Sequence, residues 1–277
     1  MPRAPEPDPP GIPELPAGLI GSASPHAGLA YRAIRRLARL VGRLLRFRVV
    51  VEGREHLPRT PDGRHAGGWI AAAVPHRSWI DPFLVWAVLP VEPRLVFIGD
   101  ARTMARSRVR RWVVRRVGGI LPIPSHGGAR TFATHVTAAV DALDAGAVFC
   151  LFPESGPPVP PAESRPIAPG LGYIALRSGA PVVAIVIGGN HELYLGRRIV
   201  VRIQPPVTAA ELAWSEAGPR PPAWAPTPGS RAERDAAHRV VEALHARCAA
   251  AVRRAHDDQE PPAGTAKRWR GLTTLFR

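Results

Sequence analysis

Apolar positions along this chain switch between two periods, and the switches outline its elements. Between residues 28 and 47, Ile34, Leu37, Val41 and Leu44 recur every three or four positions. Arg32, Arg36, Arg39, Arg43 and Arg46 recur with the same spacing on the opposite face. This spacing predicts a helix with one apolar and one cationic stripe. Short apolar runs follow at 49–51, 69–74 (WIAAAV), 94–98 (RLVFI), 120–123, 148–152 (VFCLF) and 182–187. Runs this short, with few polar interruptions, read as strands buried on both faces. Residues 198–203 alternate like a further strand. Helical patterns lie between them at 82–89, 101–117, 131–145 and 168–178, with Pro82 in a first turn and Gly146 as a stop. A long helix covers 231–256. Strand and helix alternate through most of the chain. That order predicts an α/β fold, a single domain with a mostly parallel central sheet flanked by helices and preceded by the basic amphipathic helix.

Composition narrows the picture. Of 277 residues, 45% are apolar, enough for a packed core. Residues 1–27 hold prolines and acids where a secretory signal needs an apolar run, so they read as a disordered Pro-rich tail. Residues 28–256 form the domain, and 257–277 a flexible basic tail. Cys150 lies in an apolar run and Cys248 in a helical pattern, so both read as reduced thiols in a reducing compartment. No apolar stretch reaches the ~18 to 20 residues that span a bilayer, so membrane contact is expected to be peripheral.

The net charge of +15 calls for a polyanionic neighbour: nucleic acid, anionic lipid or an acidic substrate. Lys267 is the lone lysine, and the arginine skew reads partly as coding bias. A nucleic-acid-binding module is one reading of the charge, but no recognition motif accompanies it. The stripes at 28–47 suit a helix lying in a membrane interface, or one packed on its own domain with the charged face in water. Residues 102–116 carry seven arginines with Trp112, and 267–277 mix cations with Trp269 and Phe276. The latter reads as a weak interfacial anchor or as a disordered end.

Chemistry concentrates where strands end. His76 follows the run WIAAAV, and Asp81 stands five positions on. Reactive groups collect at the carboxyl edge of open α/β sheets, and a histidine there can serve as general base with a carboxylate fixing its tautomer. On a regular helix, positions five apart lie roughly 140° apart and share no face. The pair can meet only if the segment is a turn, as the bracketing Pro75 and Pro82 would require. Otherwise they are a surface histidine and a helix-capping aspartate. Phe152-Pro153-Glu154 leaves a second strand, and Gly179-Ala180-Pro181 precedes a third. No cluster has metal-ligand spacing.

In order and separation these segments resemble the phospholipid/glycerol acyltransferase family, whose best-known members are the 1-acylglycerol-3-phosphate (lysophosphatidic acid) acyltransferases. Pro75-His76 through Asp81 is similar to the family's Asn-His-x-x-x-x-Asp block. Gly118-Gly119-Ile120 resembles its second block, and Phe152-Pro153-Glu154-Ser155-Gly156 its Phe-Pro-Glu-Gly block. Arg165-Pro166-Ile167 with Gly170, and Ala180-Pro181-Val182-Val183, resemble the segments that follow. The resemblance implies transfer of a fatty acyl group from acyl-CoA or acyl carrier protein to a lipid hydroxyl, with no cofactor. His76 is the implied base and Asp81 its orienting group. Glu154, Ser155, Gly156, Arg130, Arg165 and Pro181 are the implied substrate-binding residues. The implied partners are the lipid acceptor, the acyl donor and an anionic membrane surface, with no nucleic acid. The implied place is peripheral, on the cytoplasmic face of the cell membrane.

The chain departs from the family pattern at three places. Pro75 replaces the usual asparagine, and Pro124-Ser125 and Pro157 stand where the family has phosphate-gripping arginines. Proline and serine cannot imitate a guanidinium fork. A non-phosphate acceptor (a lysophospholipid, glycolipid or amino-lipid) and a non-catalytic membrane-binding relative therefore stay open.

Overall fold

The computed structural model describes residues 24–101, 108–123, 129–214, 226–259 and 267–275. Helix α1 (Leu29–Leu44) comes first, then β1 (Arg48–Glu52), β2 (Trp69–Val74), α2 (Asp81–Val88), β3 (Leu95–Asp100), α3 (Arg108–Val117) and β4 (Ile120–Ile123). Next come α4 (Ala129–Asp144), β5 (Val148–Leu151), α5 (Pro169–Ser178), β6 (Val182–Gly188), β7 (Arg198–Ile203), α6 (Ala209–Ala213), α7 (Arg231–Asp257) and α8 (Leu272–Leu275). The strands form one sheet in the order β1-β7-β6-β2-β5-β3-β4. Every neighbouring pair is parallel except β6 with β7. The expected α/β fold with a mostly parallel, helix-flanked sheet is thus present.

The unbroken apolar runs have a direct cause: every residue of β2, β5 and β6 is buried. Along β2, Ile70, Ala72 and Val74 face one helical layer, built from α4, α5 and α7. Trp69, Ala71 and Ala73 face the other, with α2 and Tyr31 of α1. Helices α5 and α7 approach so closely that a Cβ on Gly172 would lie 2.4 Å from the Ala237 carbonyl. Arg177 of α5 donates twice to Glu233 of α7, at 2.7 and 3.0 Å. Because β2, β5 and β6 are parallel neighbours, their outgoing loops gather at one sheet edge. From β2 the chain leaves toward β3 on one flank, and from β5 it crosses to β6 on the other. The crevice at that switch is where α/β sheets build sites.

Helix α1 docks through Tyr31 and Ile34 together with Arg32, Arg35 and Arg39, while Arg36 and Arg43 are exposed. Arg35 is buried and donates to the Trp86 carbonyl at 2.8 Å and to that of Leu89; Arg39 donates to Ala87 O at 2.8 and 3.0 Å. Arg32 binds Glu92. The last carbonyls of α2 lack partners within their own helix, and α2 has no basic residue in its last turn. The arginines of α1 supply those donors. The apolar stripe therefore points outward: Leu37 is 56% exposed and Leu44 70%, with Leu40 and Val41 beside them. The stripe that the sequence pattern offered either to a membrane interface or to the domain is largely in the open, and the docking of Arg35 and Arg39 on α2 is a feature the pattern did not foresee. No helix among the described residues is long and apolar enough to cross a membrane.

Some residues of the two expected tails contact the domain. Residues 24–27 are not free: Pro25 O accepts from Arg94 N at 2.7 Å, and Ala27 N donates to Glu92 at 3.3 Å. At the other end, residues 267–275 form a strap across the loop after β6. Lys267 pairs with Glu192 at 2.5 Å, and Leu195 N donates to Arg268 O at 2.9 Å. Thr273 Oγ1 accepts from Leu193 N at 2.8 Å and donates to Leu193 O at 3.0 Å, while Leu272 enters the core. Residues 1–23 and 260–266, which the sequence assigns to tails, lie outside the described residues, as do 102–107 of the second basic segment and Pro124-Ser125.

Candidate active site

His76 and Asp81 meet. His76 Nδ1 lies 3.0 Å from Asp81 Oδ2. The helix begins only at Asp81, so residues 75–80 are free to turn, which removes the angular objection of a continuous helix. The turn is closed by Asp81 itself, whose Oδ2 also accepts from the amides of Arg77 and Ser78, both at 2.8 Å. Its other oxygen, Oδ1, accepts from Asn190 Nδ2 at 3.0 Å, and the same amide group donates to Pro75 O at 3.0 Å. The carboxylate is wholly buried, while the imidazole is 39% exposed. With a carboxylate as its partner, Nδ1 carries the proton and Nε2 the lone pair. The Phe152 ring packs on the imidazole with centroids 4.4 Å apart.

Glu154 braces this turn from β5. Its side chain is fully buried and accepts from His76 N at 3.0 Å, Arg165 N at 3.0 Å and Arg165 Nε at 3.2 Å. Arg165 Nη2 goes on to the His76 carbonyl at 3.1 Å, and Nη1 to Gly156 O at 3.5 Å. Arg77 reaches the proline-rich loop beyond, donating to the carbonyls of Val159 and Pro160 at 3.0 Å and of Glu163 at 2.5 Å. Burial lowers its pKa from the usual guanidinium value, an effect the neighbouring Glu154 carboxylate opposes. The two guanidiniums bonded around the His76 turn are thus engaged with the protein itself.

The structure sorts the candidate residues into groups. His76, Asp81, Glu154, Ser155, Gly156 and Arg165 share the edge at the ends of β2 and β5. The family resemblance implies substrate binding for Glu154 and Arg165, but their polar atoms are turned to His76 and its loop. Arg130 is exposed in the first turn of α4. Pro181 lies elsewhere. It precedes β6, its carbonyl accepts from Ile70 N at the start of β2, and the pairing of Val74 with Val186 puts the His76 edge a strand length away. That is roughly 15–20 Å at ~3.3 Å per residue. Sequence reasoning missed Asn190, Arg77 and the packing role of Phe152. Asn190 had a signal: it leaves a buried strand at its carboxyl end, as His76 does. Among the described residues no three His, Cys, Asp or Glu side chains gather to hold a metal ion.

A buried carboxylate orienting a part-exposed histidine at the carboxyl edge of a parallel sheet suits proton abstraction from a hydroxyl. Comparison with known proteins narrows this further. Among solved structures the chain is similar to the 1-acyl-sn-glycerophosphate acyltransferase of Thermotoga maritima, with a TM-score of 0.52, 21% identity and 78% of each chain covered. That likeness concerns the fold. No curated protein matches. A family model described as Acyltransferase matches residues 48–188, just over half the chain, from β1 through β6. The matched span contains the His76 turn, the Glu154 brace and the strands that bring them together, and the chain belongs to this acyltransferase family.

Proposed function

We propose that the protein moves a fatty acyl group from a thioester, acyl-CoA or acyl carrier protein, to the hydroxyl of a lipid acceptor at a membrane surface, as in phospholipid synthesis. The observation that carries this reading is the 3.0 Å contact between His76 Nδ1 and buried Asp81. Nε2 takes the acceptor's O–H proton, and the acceptor oxygen bonds to the thioester carbonyl carbon. The C–S bond then breaks, and the proton passes from His76 to the departing thiolate. Asp81 holds the tautomer and offsets the transient imidazolium. The test is thiol release and acyl-lipid formation with a panel of lysolipid and amine acceptors. His76→Ala should abolish both, and near-normal turnover in that variant would reject the mechanism.

The surroundings support a membrane setting. The outward leucines of α1 lie beside Arg36 and Arg43, which are exposed. Helix α3 presents Trp112, 58% exposed, within a basin of about 360 Å³ lined by Arg108, Arg111, Arg115 and Arg116. Apolar side chains interleaved with cations suit an anionic lipid surface. Between α1 and α2 runs an apolar groove of about 530 Å³, lined by Leu37, Phe47, Phe83 and Leu84. It reaches Trp79 and Ile80, members of the His76 turn. That volume is in the usual range for ligand sites, and the lining suits an acyl chain.

A second reading concerns the acceptor. The Thermotoga protein is described as acting on 1-acyl-sn-glycerophosphate, and a phosphate-bearing acceptor is the default within the family. One observation favours a different acceptor here: Arg165 is engaged with Glu154 and the His76 carbonyl, and Pro157 stands where a phosphate-gripping arginine is expected. An acceptor whose phosphate is masked or absent fits such a site better.

A further inference from the structure

Asp81 can orient His76 only if its own carboxylate is held in one rotation. Three of the contacts to Oδ2 come from its own turn, but Oδ1 is met from a distant part of the chain, by Asn190 just past the end of β6. Asn190 is 3% exposed. Its side-chain nitrogen carries two N–H groups, and both are spent at this site, one on Asp81 Oδ1 and one on Pro75 O. Pro75 is the residue before His76, and Asp81 is the partner of His76. A single amide therefore pins the strand exit and the carboxylate on either side of the base.

The amide is itself firmly placed. Gly189, with φ +87°, lies where a Cβ would come within 2.5 Å of the Arg198 carbonyl. Its carbonyl accepts from Nε of the wholly buried Arg197 at 3.1 Å. Beyond Asn190, the strap residues hold Glu192, Leu193 and Leu195. The loop is thus fixed on both sides of Asn190.

We propose that Asn190 is a positioning residue for acyl transfer: its amide fixes the rotation of the Asp81 carboxylate so that Oδ2 faces His76. This rests on the reading of His76 and Asp81 as the transferring pair. Without the amide, Oδ1 loses a buried hydrogen bond, and the carboxylate can rotate off the imidazole. Displacements near 1 Å at a reacting geometry lower rates by up to about a hundredfold. The described contacts of the Asn190 side chain are with the protein, so the effect belongs on kcat rather than KM.

The experiment is steady-state kinetics against pH for wild type, His76→Ala, Asn190→Ala and Asn190→Asp, with circular dichroism to confirm folding. Asn190→Ala should lower kcat about 10- to 100-fold with KM within about twofold. Asn190→Asp has the same shape, but donates only while protonated and repels Asp81 once ionised. Its kcat should therefore fall toward alkaline pH where the wild-type value holds. Wild-type kcat in folded Asn190→Ala, or a loss in Asn190→Asp that is the same at every pH, would overturn the proposal. Should Asn190→Ala not fold, the pH profile of Asn190→Asp decides alone. Turnover in His76→Ala would instead reject the pair itself, whereas an inactive His76→Ala beside an unaffected Asn190→Ala would reject only the role of Asn190.

Discussion

Asp81 is held by four donors, and that number sets what its replacement should do. An asparagine at this position would have to present its N–H group either at the place of Oδ2, toward two backbone amides and Nδ1 of His76, or at the place of Oδ1, toward the Asn190 amide. The first sets donor against donor and forces the wrong tautomer of the base, and the second sets the new amide against that of Asn190. Asp81→Asn should therefore lower kcat by on the order of a hundredfold or more while circular dichroism shows a retained fold. A loss below about tenfold would mean that the carboxylate does little for His76. His76 and Asp81 were legible in the sequence because both stand just past a strand that its own apolar run announces. Asn190 was harder to find, since its value depends on β6 lying beside β2, a fact of sheet order that local pattern does not contain. The distance of Pro181 from His76 has a related cause. Motif order says which strand a residue adjoins, but the residue's position before the strand, rather than after it, puts it at the edge opposite His76.

Among the elements, α1 is the one whose packing the sequence left undecided. Periodicity reveals two opposed stripes, but which residues turn inward depends on what the neighbouring element needs. Here the need is for hydrogen-bond donors at the end of α2, and Arg35 and Arg39 meet it. The leucines are left for another partner, which we take to be lipid. Burying a leucine in an apolar phase contributes roughly 1.5–3 kcal/mol. A double variant, Leu37→Asp with Leu44→Asp, should thus weaken co-sedimentation with anionic vesicles at least ~10-fold. Its melting temperature should stay near wild type, since both side chains are exposed. Unchanged sedimentation, or binding that ignores salt, would count against α1 as the docking element. A different element contact bears on acid stability. The hydrogen bonds from Arg177 hold the Glu233 carboxyl below its ordinary range, opposed by burial. A depressed carboxyl stabilises fully above its unfolded pKa of about 4.3, and that contribution is lost as pH falls through the lower folded value. Urea unfolding should place Glu233→Gln roughly 1.5–3 kcal/mol below wild type at pH 7, with the gap closing below about pH 4. A gap that persists unchanged in acid would assign the loss to packing instead.

For the molecule as a whole, the layered sheet was the most legible feature, because alternating strand and helix patterns leave few topologies open. The ends were the least legible. Polar residues such as Lys267 and Thr273 look like tail until the loop that binds them is in view. Substrate choice also belongs at this scale, since it depends on the whole set of cations around the edge. A phosphate monoester carries close to two negative charges, and holding it without a free cation is unfavourable. The highest kcat/KM should fall on a neutral or zwitterionic acceptor rather than on lysophosphatidic acid. If lysophosphatidic acid ranks first, and Arg130→Ala or Arg165→Ala removes that rank, those arginines replace the missing ones and this expectation is wrong.

The outward leucines of α1 also govern how the protein behaves in the absence of any lipid. A long greasy strip on a molecule of net charge +15 makes a colloid with two opposing tendencies. In dilute electrolyte, like charge keeps copies apart. Once salt shortens the Debye length to about 10 Å or less, repulsion fades while the attraction between strips remains. Sulfate strengthens that attraction further, because it is excluded from apolar surface. The usual remedy of adding salt to a basic protein would therefore promote clumping here, and a low-salt buffer with a mild detergent is the medium in which single copies persist.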